Sequence, residues 1–405
     1  MDGQEGGLEV KILAVCSSLD LRFPYSSTPA WWQLFKGLYE MGVEVIVTPY
    51  QGAAVESLWW KAYPNPCQGE GALFAATREI LRRLHLFRKD DDRDKHKIKD
   101  SFADKTVRTL AKTFIRPRWE RHLDNIIRKE NDIDAVIVFT VPLNHFQGLP
   151  THIKKKYQIP VFYYDGDVPE SLPQFKGFRS GFRIYQGADL TEYDGFISNS
   201  QGGVPELEKM GAKNVKVLYY GVDPTVFAPL KVKQDIDIFF YGHGYEYRRE
   251  WIDKMIRIPS KELNRYRFAV RATGFDIDLG NTERLPYASL SRLRVYSCKS
   301  KINLNITRKQ HASVYASSSS RPFELASMGC CIVSNPYLGL EEWFEPKKEI
   351  LVIEDSQEAI EIYKWLLSND QERKKIGLRA RERVLKEHTY QHRSKELIGI
   401  IKAMG

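Results

Sequence analysis

One rhythm constrains this chain more than any other feature and runs through it twice: short apolar, β-rich segments alternate with stretches of helical period. Such alternation builds βαβ units, and successive units stack into a parallel sheet covered by helices. In the first half, Lys11–Cys16 reads as a strand, and Ala30–Met41 places Trp31, Leu34, Phe35, Leu38 and Met41 on one helical face. Gly42 ends that helix and Val43–Val47 opens the next strand. Ala135–Thr140, Val161–Tyr164, Gly195–Ser198 and Val215–Tyr219 read as further buried strands. A second series opens at Asp235, with strands at Ile236–Tyr241, Tyr266–Arg271, Ile302–Ile306, Cys331–Ser334 and Ile350–Ile353. Its helices fall at Tyr247–Ile256, Pro322–Met328, Gln357–Leu367 and Gln371–His388. The expected class is α/β, with two Rossmann-like, doubly wound parallel-sheet domains facing a cleft and ligands beyond the carboxyl ends of the strands.

At 405 residues the chain has room for both domains, and 42% hydrophobic residues exclude a disordered protein. Residues 1–222 form the expected first domain, with a helical insertion at about 73–129; residues 223–388 form the second, and 389–405 a last helix packing back on the first. The longest apolar runs fall short of the roughly 18 residues that span a bilayer. Asp2, Glu5 and Glu9 near the start do not make the basic region of a secretory signal, so a cytoplasmic location and no transmembrane segment are expected. The five cysteines lack metal-ligand spacing and read as reduced thiols. Charge is uneven: between Arg78 and Lys129 seventeen Lys/Arg stand against nine Asp/Glu, in a chain of net charge +9. That excess suits an anionic acceptor, a membrane surface or nucleic acid; the bland reading is a solvated helical face.

Several groups have the chemistry of a site. Asp165-Gly166-Asp167 follows a strand and spells either a pair of catalytic or acceptor-binding carboxylates, a cation site, or carboxylates that cap a turn. His145, just after another strand, is a candidate catalytic residue or a structural imidazole. Gly242-His243-Gly244 reads as a tight strand-exit turn able to approach a diphosphate, with Arg248 and Arg249 in the helix that follows. Asn305 and Arg308, at the carboxyl end of a strand, are candidates for base, phosphate or sugar contacts. In Arg321-Pro322-Phe323-Glu324, Ser319 or Ser320 suits an N-cap and Pro322 the first turn. The helix amides and Arg321 would attract a diphosphate, and Glu324 would accept hydroxyls. No Ser-His-Asp set, zinc spacing or Walker loop is present.

Five stretches carry a resemblance. Gly221-Val222-Asp223, followed after three residues by Phe227-Ala228-Pro229, resembles the linker of group 1 glycosyltransferases of the GT-B fold. Arg321–Ser334 is similar to their donor-nucleotide motif, and Val161–Pro169 to a strand ending in Asp-x-Asp-x-Pro. Lys301–Arg308, then Arg321-x-Phe323-Glu324 and Glu349-Ile350, resembles the CgeB-type (spore maturation protein) branch. The resemblance covers most of residues 194–388 and implies a metal-independent transferase with no resident cofactor. Its donor, a UDP- or GDP-linked sugar, would lie against Gly242, His243, Gly244, Arg248, Asn305, Arg308, Arg321, Phe323 and Glu324. Glu324 would take the donor ribose; the family's other glutamate, eight positions earlier, is replaced by Ala316. Two other readings stay open: a nucleotide-sugar epimerase or hydrolase on the same fold, and a basic nucleic-acid-binding protein or nucleic-acid-modifying glycosyltransferase.

Overall fold

The structure, a computed structural model, describes residues 10–21, 28–69, 108–109, 111–173, 184–243, 248–273, 277–286 and 288–404. The chain divides into two compact units. Met1–Asn199, Gly203–Leu218 and Ser394–Gly405 make one; Ser200–Gly202 and Tyr219–Arg393 make the other.

The first unit runs β1 (Val10–Ser18), α1 (Thr28–Glu40), β2 (Val43–Gln51), β3 (Lys61–Ala62), α2 (Arg116–Glu130), β4 (Ala135–Phe139), α3 (Leu149–Tyr157), β5 (Val161–Asp165), β6 (Gly195–Ser198), α4 (Val204–Lys209) and β7 (Val215–Val217). The strands form one parallel sheet in the order β3-β2-β1-β4-β5-β6-β7. Parallel sheets are covered on both faces, which is why β4 and β5 are apolar without alternation and buried along their whole length. Helix α1 docks through Trp31 and Phe35, whose rings lie 5.0 and 5.4 Å from that of Phe139. Gly42 follows with φ +79°, the left-handed stop that glycine adopts without Cβ strain. β4 ends one residue before expected, because Thr140 takes φ +49°. Most of the expected helical insertion, residues 70–107 and 110, lies outside the described residues; the remainder is a π turn at Ala111–Ile115 leading into α2.

The second unit runs β8 (Ile236–His243), α5 (Arg249–Ile252), α6 (Ile258–Glu262), β9 (Phe268–Thr273), β10 (Thr282–Arg284), α7 (Leu290–Cys298), β11 (Ser300–Asn305), α8 (Lys309–Ser313), α9 (Ser320–Ser327), β12 (Cys331–Ser334), β13 (Leu351–Val352), α10 (Ser356–Ser368) and α11 (Asp370–Glu387). Its sheet is also parallel, in the order β10-β9-β8-β11-β12-β13. Two expectations are corrected here. The helix expected at Tyr247–Ile256 is broken by a π turn at Asp253–Arg257 ahead of Pro259. Proline has no amide to continue the ladder, and the Met255 carbonyl instead accepts the Tyr363 hydroxyl at 3.0 Å. The turn expected at Gly242-His243 is strand: β8 pairs with β9 up to His243 against Thr273.

Both sheets follow the dinucleotide-fold order of third, second, first, fourth, fifth and sixth strand. That order reverses between β1 and β4 and again between β8 and β11, and ligands bind at such switch points beyond the carboxyl ends.

Candidate functional site

The switch point of the second sheet gathers three arginines. Where β11 ends, the Ile306 carbonyl accepts from Arg248 Nε at 2.9 Å and from Arg321 Nη1 at 3.1 Å. Arg248 precedes α5 and is buried; Arg321 stands in the first turn of α9, its guanidinium 5.1 Å from the ring centres of both Phe240 and Tyr241. Gly242 makes that approach possible, since a Cβ there would meet Arg321 Nη2 at 2.8 Å and Phe240 Cζ at 2.9 Å. Arg308 completes the group: burial pulls the Arg321 pKa down, and the neighbouring Arg308 charge adds to the fall. His311, on α8, is buried beside Arg308 and Arg248; burial first, then the two positive charges, hold it neutral with a pKa well below the usual imidazole range.

An acid stands beside this charge. Glu324 lies in α9, 6% exposed, and its Oε2 accepts the Tyr241 hydroxyl at 2.8 Å. Burial raises its pKa, against the opposing pull of the Tyr241 bond and the Arg321 charge. Several buried polar atoms nearby in sequence have no hydrogen-bond partner among the described residues: Arg321 Nε, Asn305 Oδ1, Thr307 Oγ1 and both amide atoms of Gln310. Buried polar atoms are nearly always satisfied, so their concentration over residues 305–321 marks a place where a polar ligand has work to do. Guanidinium groups gathered at a strand exit favour an anion.

The structure thus brings together Gly242, Arg248, Arg308, Arg321 and Glu324. His243 belongs to the same strand end, and Gly244 lies outside the described residues. Asn305 is fully buried and donates to Ser334 Oγ at 3.0 Å, which ties β11 to β12. Phe323 faces the core, its ring 5.4–5.8 Å from His388, Trp343 and Phe344, and anchors α9. Ser319 holds the N-cap position, but its hydroxyl makes no bond to the helix amides. Ala316 is buried with φ +45°, and Gly339 packs directly on it, since a Cβ on Gly339 would sit 2.4 Å from the Ala316 nitrogen. Sequence reasoning missed Tyr241 and His311. The strand alternation carried a signal for Tyr241, a polar-tipped ring at a strand exit; His311 carried none, because its importance lies in the arginines around it.

In the first unit, Asp165 is fully buried and accepts from the Ser171 and Tyr185 hydroxyls, each at 2.5 Å, and from the Asp167 amide at 2.9 Å. Three of its roughly four lone-pair sites are thus occupied from within the unit, as in a carboxylate that caps a turn. Asp167 is half-buried and offers its carbonyl to the Ser171 amide at 3.0 Å. His145 binds the Tyr50 hydroxyl through Nδ1, and burial lowers its pKa to about 4. Among the described residues no group of three or more His, Cys, Asp or Glu is arranged to hold a metal ion. A cavity of about 120 Å³ at the opposite, amino-terminal ends of β11 and β12 is lined by Cys298, Lys301 and Cys330 among others, and Lys301 there is already paired with Asp237 at 2.8 Å.

Comparison with known proteins defines the fold class. Residues 240–399 match the family model described as glycosyl transferase-like. No curated protein sequence matches the chain at a significant level. Among solved structures, sucrose-phosphate synthase from Thermosynechococcus elongatus is similar with a TM-score of 0.63 at 11% identity, over 97% of this chain and 98% of that one. HepE of Anabaena, solved with UDP-glucose, is similar at 0.58 and 11%, over 98% and 100%. A glycosyltransferase from Rickettsia africae is similar at 0.58 and 11%, over 98% and 99%. The chain has the GT-B fold: two α/β domains, each with a parallel sheet.

Proposed function

We propose that the chain is a glycosyltransferase that draws its sugar from a nucleotide-diphosphate donor, UDP- or GDP-linked, held on the second unit. The observation that carries this reading is the arginine cluster Arg248, Arg308 and Arg321 at the β8/β11 switch point, with Glu324 beside Arg321. Three guanidinium groups stabilise a departing diphosphate by charge that is already in place, and such preorganised stabilisation is worth several kcal/mol in a site shielded from water. Glu324, steadied by Tyr241, accepts hydroxyls of the donor ribose. The match of residues 240–399 to a glycosyl transferase-like model and the likeness to HepE bound to UDP-glucose support the same reading.

The acceptor belongs to the first unit in this proposal, and the basic stretch from Arg78 to Lys129 suits an anionic one, at a membrane surface or otherwise. No helix among the described residues is long and apolar enough to cross a membrane. The five thiols are unpaired and buried, which suits the reducing cytoplasm. The CgeB-type branch is part of this proposal, supported by the pattern of Lys301–Arg308 and Arg321-x-Phe323-Glu324. Chemistry without a resident cofactor or metal is part of the proposal, supported by the three protein donors that Asp165 already accepts.

The test is a transfer assay with radiolabelled UDP- and GDP-sugars and a cell-extract acceptor fraction, run with and without excess chelator. Labelled product that depends on the acceptor and survives chelation is expected. Free sugar or an isomerised donor in the absence of acceptor would instead make the protein a hydrolase or epimerase, and loss of turnover on chelation, restored by magnesium or manganese, would end the metal-independent reading.

A further inference from the structure

We propose that Tyr241 is the positioning residue of the donor site, its hydroxyl orienting Glu324 and its ring carrying Arg321. Nothing in the sequence pattern or the family match assigns a role to this residue; the inference rests on the donor reading above and adds the part that sets its geometry. The Tyr241 hydroxyl donates to Glu324 Oε2 at 2.8 Å, which fixes the carboxylate from one side and leaves Oε1 as an acceptor for a ligand hydroxyl. The Tyr241 ring, 5.1 Å from the Arg321 guanidinium carbon and matched by Phe240 at the same distance, is a platform that leaves the arginine's direction fixed by its bond to the Ile306 carbonyl. A guanidinium and a carboxylate of one helix, three residues apart, would otherwise satisfy each other. With the tyrosine between them they are held for two different parts of one ligand: the guanidinium for phosphate, the carboxylate for hydroxyl groups.

The hydroxyl and the ring therefore separate by substitution. Tyr241→Phe keeps the platform and removes the donor; Tyr241→Ala removes both. UDP and inorganic pyrophosphate are the probes, because pyrophosphate has the diphosphate without the ribose. By titration calorimetry, Tyr241→Phe is expected to weaken UDP about tenfold and leave pyrophosphate unchanged, whereas Tyr241→Ala weakens both. A pH series adds a readout that mere support of the fold would not move. Among the described residues, the titratable or charged groups that act on Glu324 are Tyr241 on β8 and Arg321 on its own helix, with Cys330 acting on Tyr241. Loss of the Tyr241 donor leaves burial less opposed, so the pH below which UDP binding fails shifts upward in Tyr241→Phe. The double variant Tyr241→Phe/Glu324→Gln, whose carboxamide has no charge to titrate, is expected to lose little beyond Glu324→Gln alone. Equal UDP affinity in wild type and Tyr241→Phe, or equal losses for UDP and pyrophosphate, would overturn the positioning role while the donor reading stands. A wild-type protein that binds pyrophosphate but not UDP, or neither, would overturn both.

Discussion

At the residue scale, the second switch point depends on a missing side chain. Gly242 sits where a methyl group would press on Arg321 Nη2 and on the Phe240 ring, so glycine there fixes the placement of the guanidinium. Gly242→Ala is expected to turn Arg321 away from the Ile306 carbonyl and weaken nucleotide binding by about 1.5–3 kcal/mol, the range for hydrogen bonds to a charged group. Calorimetry with UDP checks it, and an unchanged affinity would show that Arg321 is not a ligand contact. The sequence pointed to Gly242 through a turn, and the structure has strand there, because a period-2 pattern does not announce how far β8 pairs with β9. Asp165 illustrates the opposite difficulty. Its spelling suits a cation or a base, and the donors that hold it, Ser171 and Tyr185, stand six and twenty residues away, where no local pattern shows them.

At the element scale, α9 is set by its packing on α11. A Cβ on Gly377, in the middle of α11, would lie 2.2 Å from the Gly329 carbonyl oxygen at the end of α9. Alanine favours helix over glycine by about 1 kcal/mol, but here the clash is with backbone and overpacking costs about 1–3 kcal/mol. Gly377→Ala is therefore expected to lower stability by up to about 2 kcal/mol, measured by urea denaturation; a stabilised variant would show that the two helices yield easily. The helix Pro322–Met328, the strand Cys331–Ser334 and α11 were legible from their own period and caps. The short elements β3, β10 and α8 were not, since two to five residues carry no period and form only because a neighbour is already in place. The broken helix after β8 was signalled by Pro259, which nonetheless reads as a helix end until Met255 is seen to find another donor.

At the scale of the whole molecule, twice-repeated βαβ alternation was enough to reach the architecture, because parallel strands buried on both faces leave long apolar signatures; the arginine cluster was only partly legible, since it is assembled from three separate segments. Buried neutral histidines give the protein a pH signature. His388 is held at a pKa of about 3 and His311 well below its usual range, each chiefly by burial. A group whose folded pKa is depressed contributes stability above its unfolded value, near 6.5 for histidine, and loses it as pH falls toward the folded value. Stability in urea should thus decline on acidification from about pH 6.5 toward 4, by up to about 1.4 kcal/mol per pH unit for each such imidazole, and less steeply in His388→Gln. A flat profile would mean that these histidines are hydrated in the folded protein. The central claim, that the β8/β11 switch point holds a nucleotide diphosphate, is tested most directly by titrating UDP and GDP into wild type, Arg321→Ala and Glu324→Ala. The account predicts one-to-one binding of at least one nucleotide by the wild type, weakened by about 1.5–3 kcal/mol in each variant with the fold intact; binding of neither nucleotide, or equal affinity in all three proteins, would contradict it.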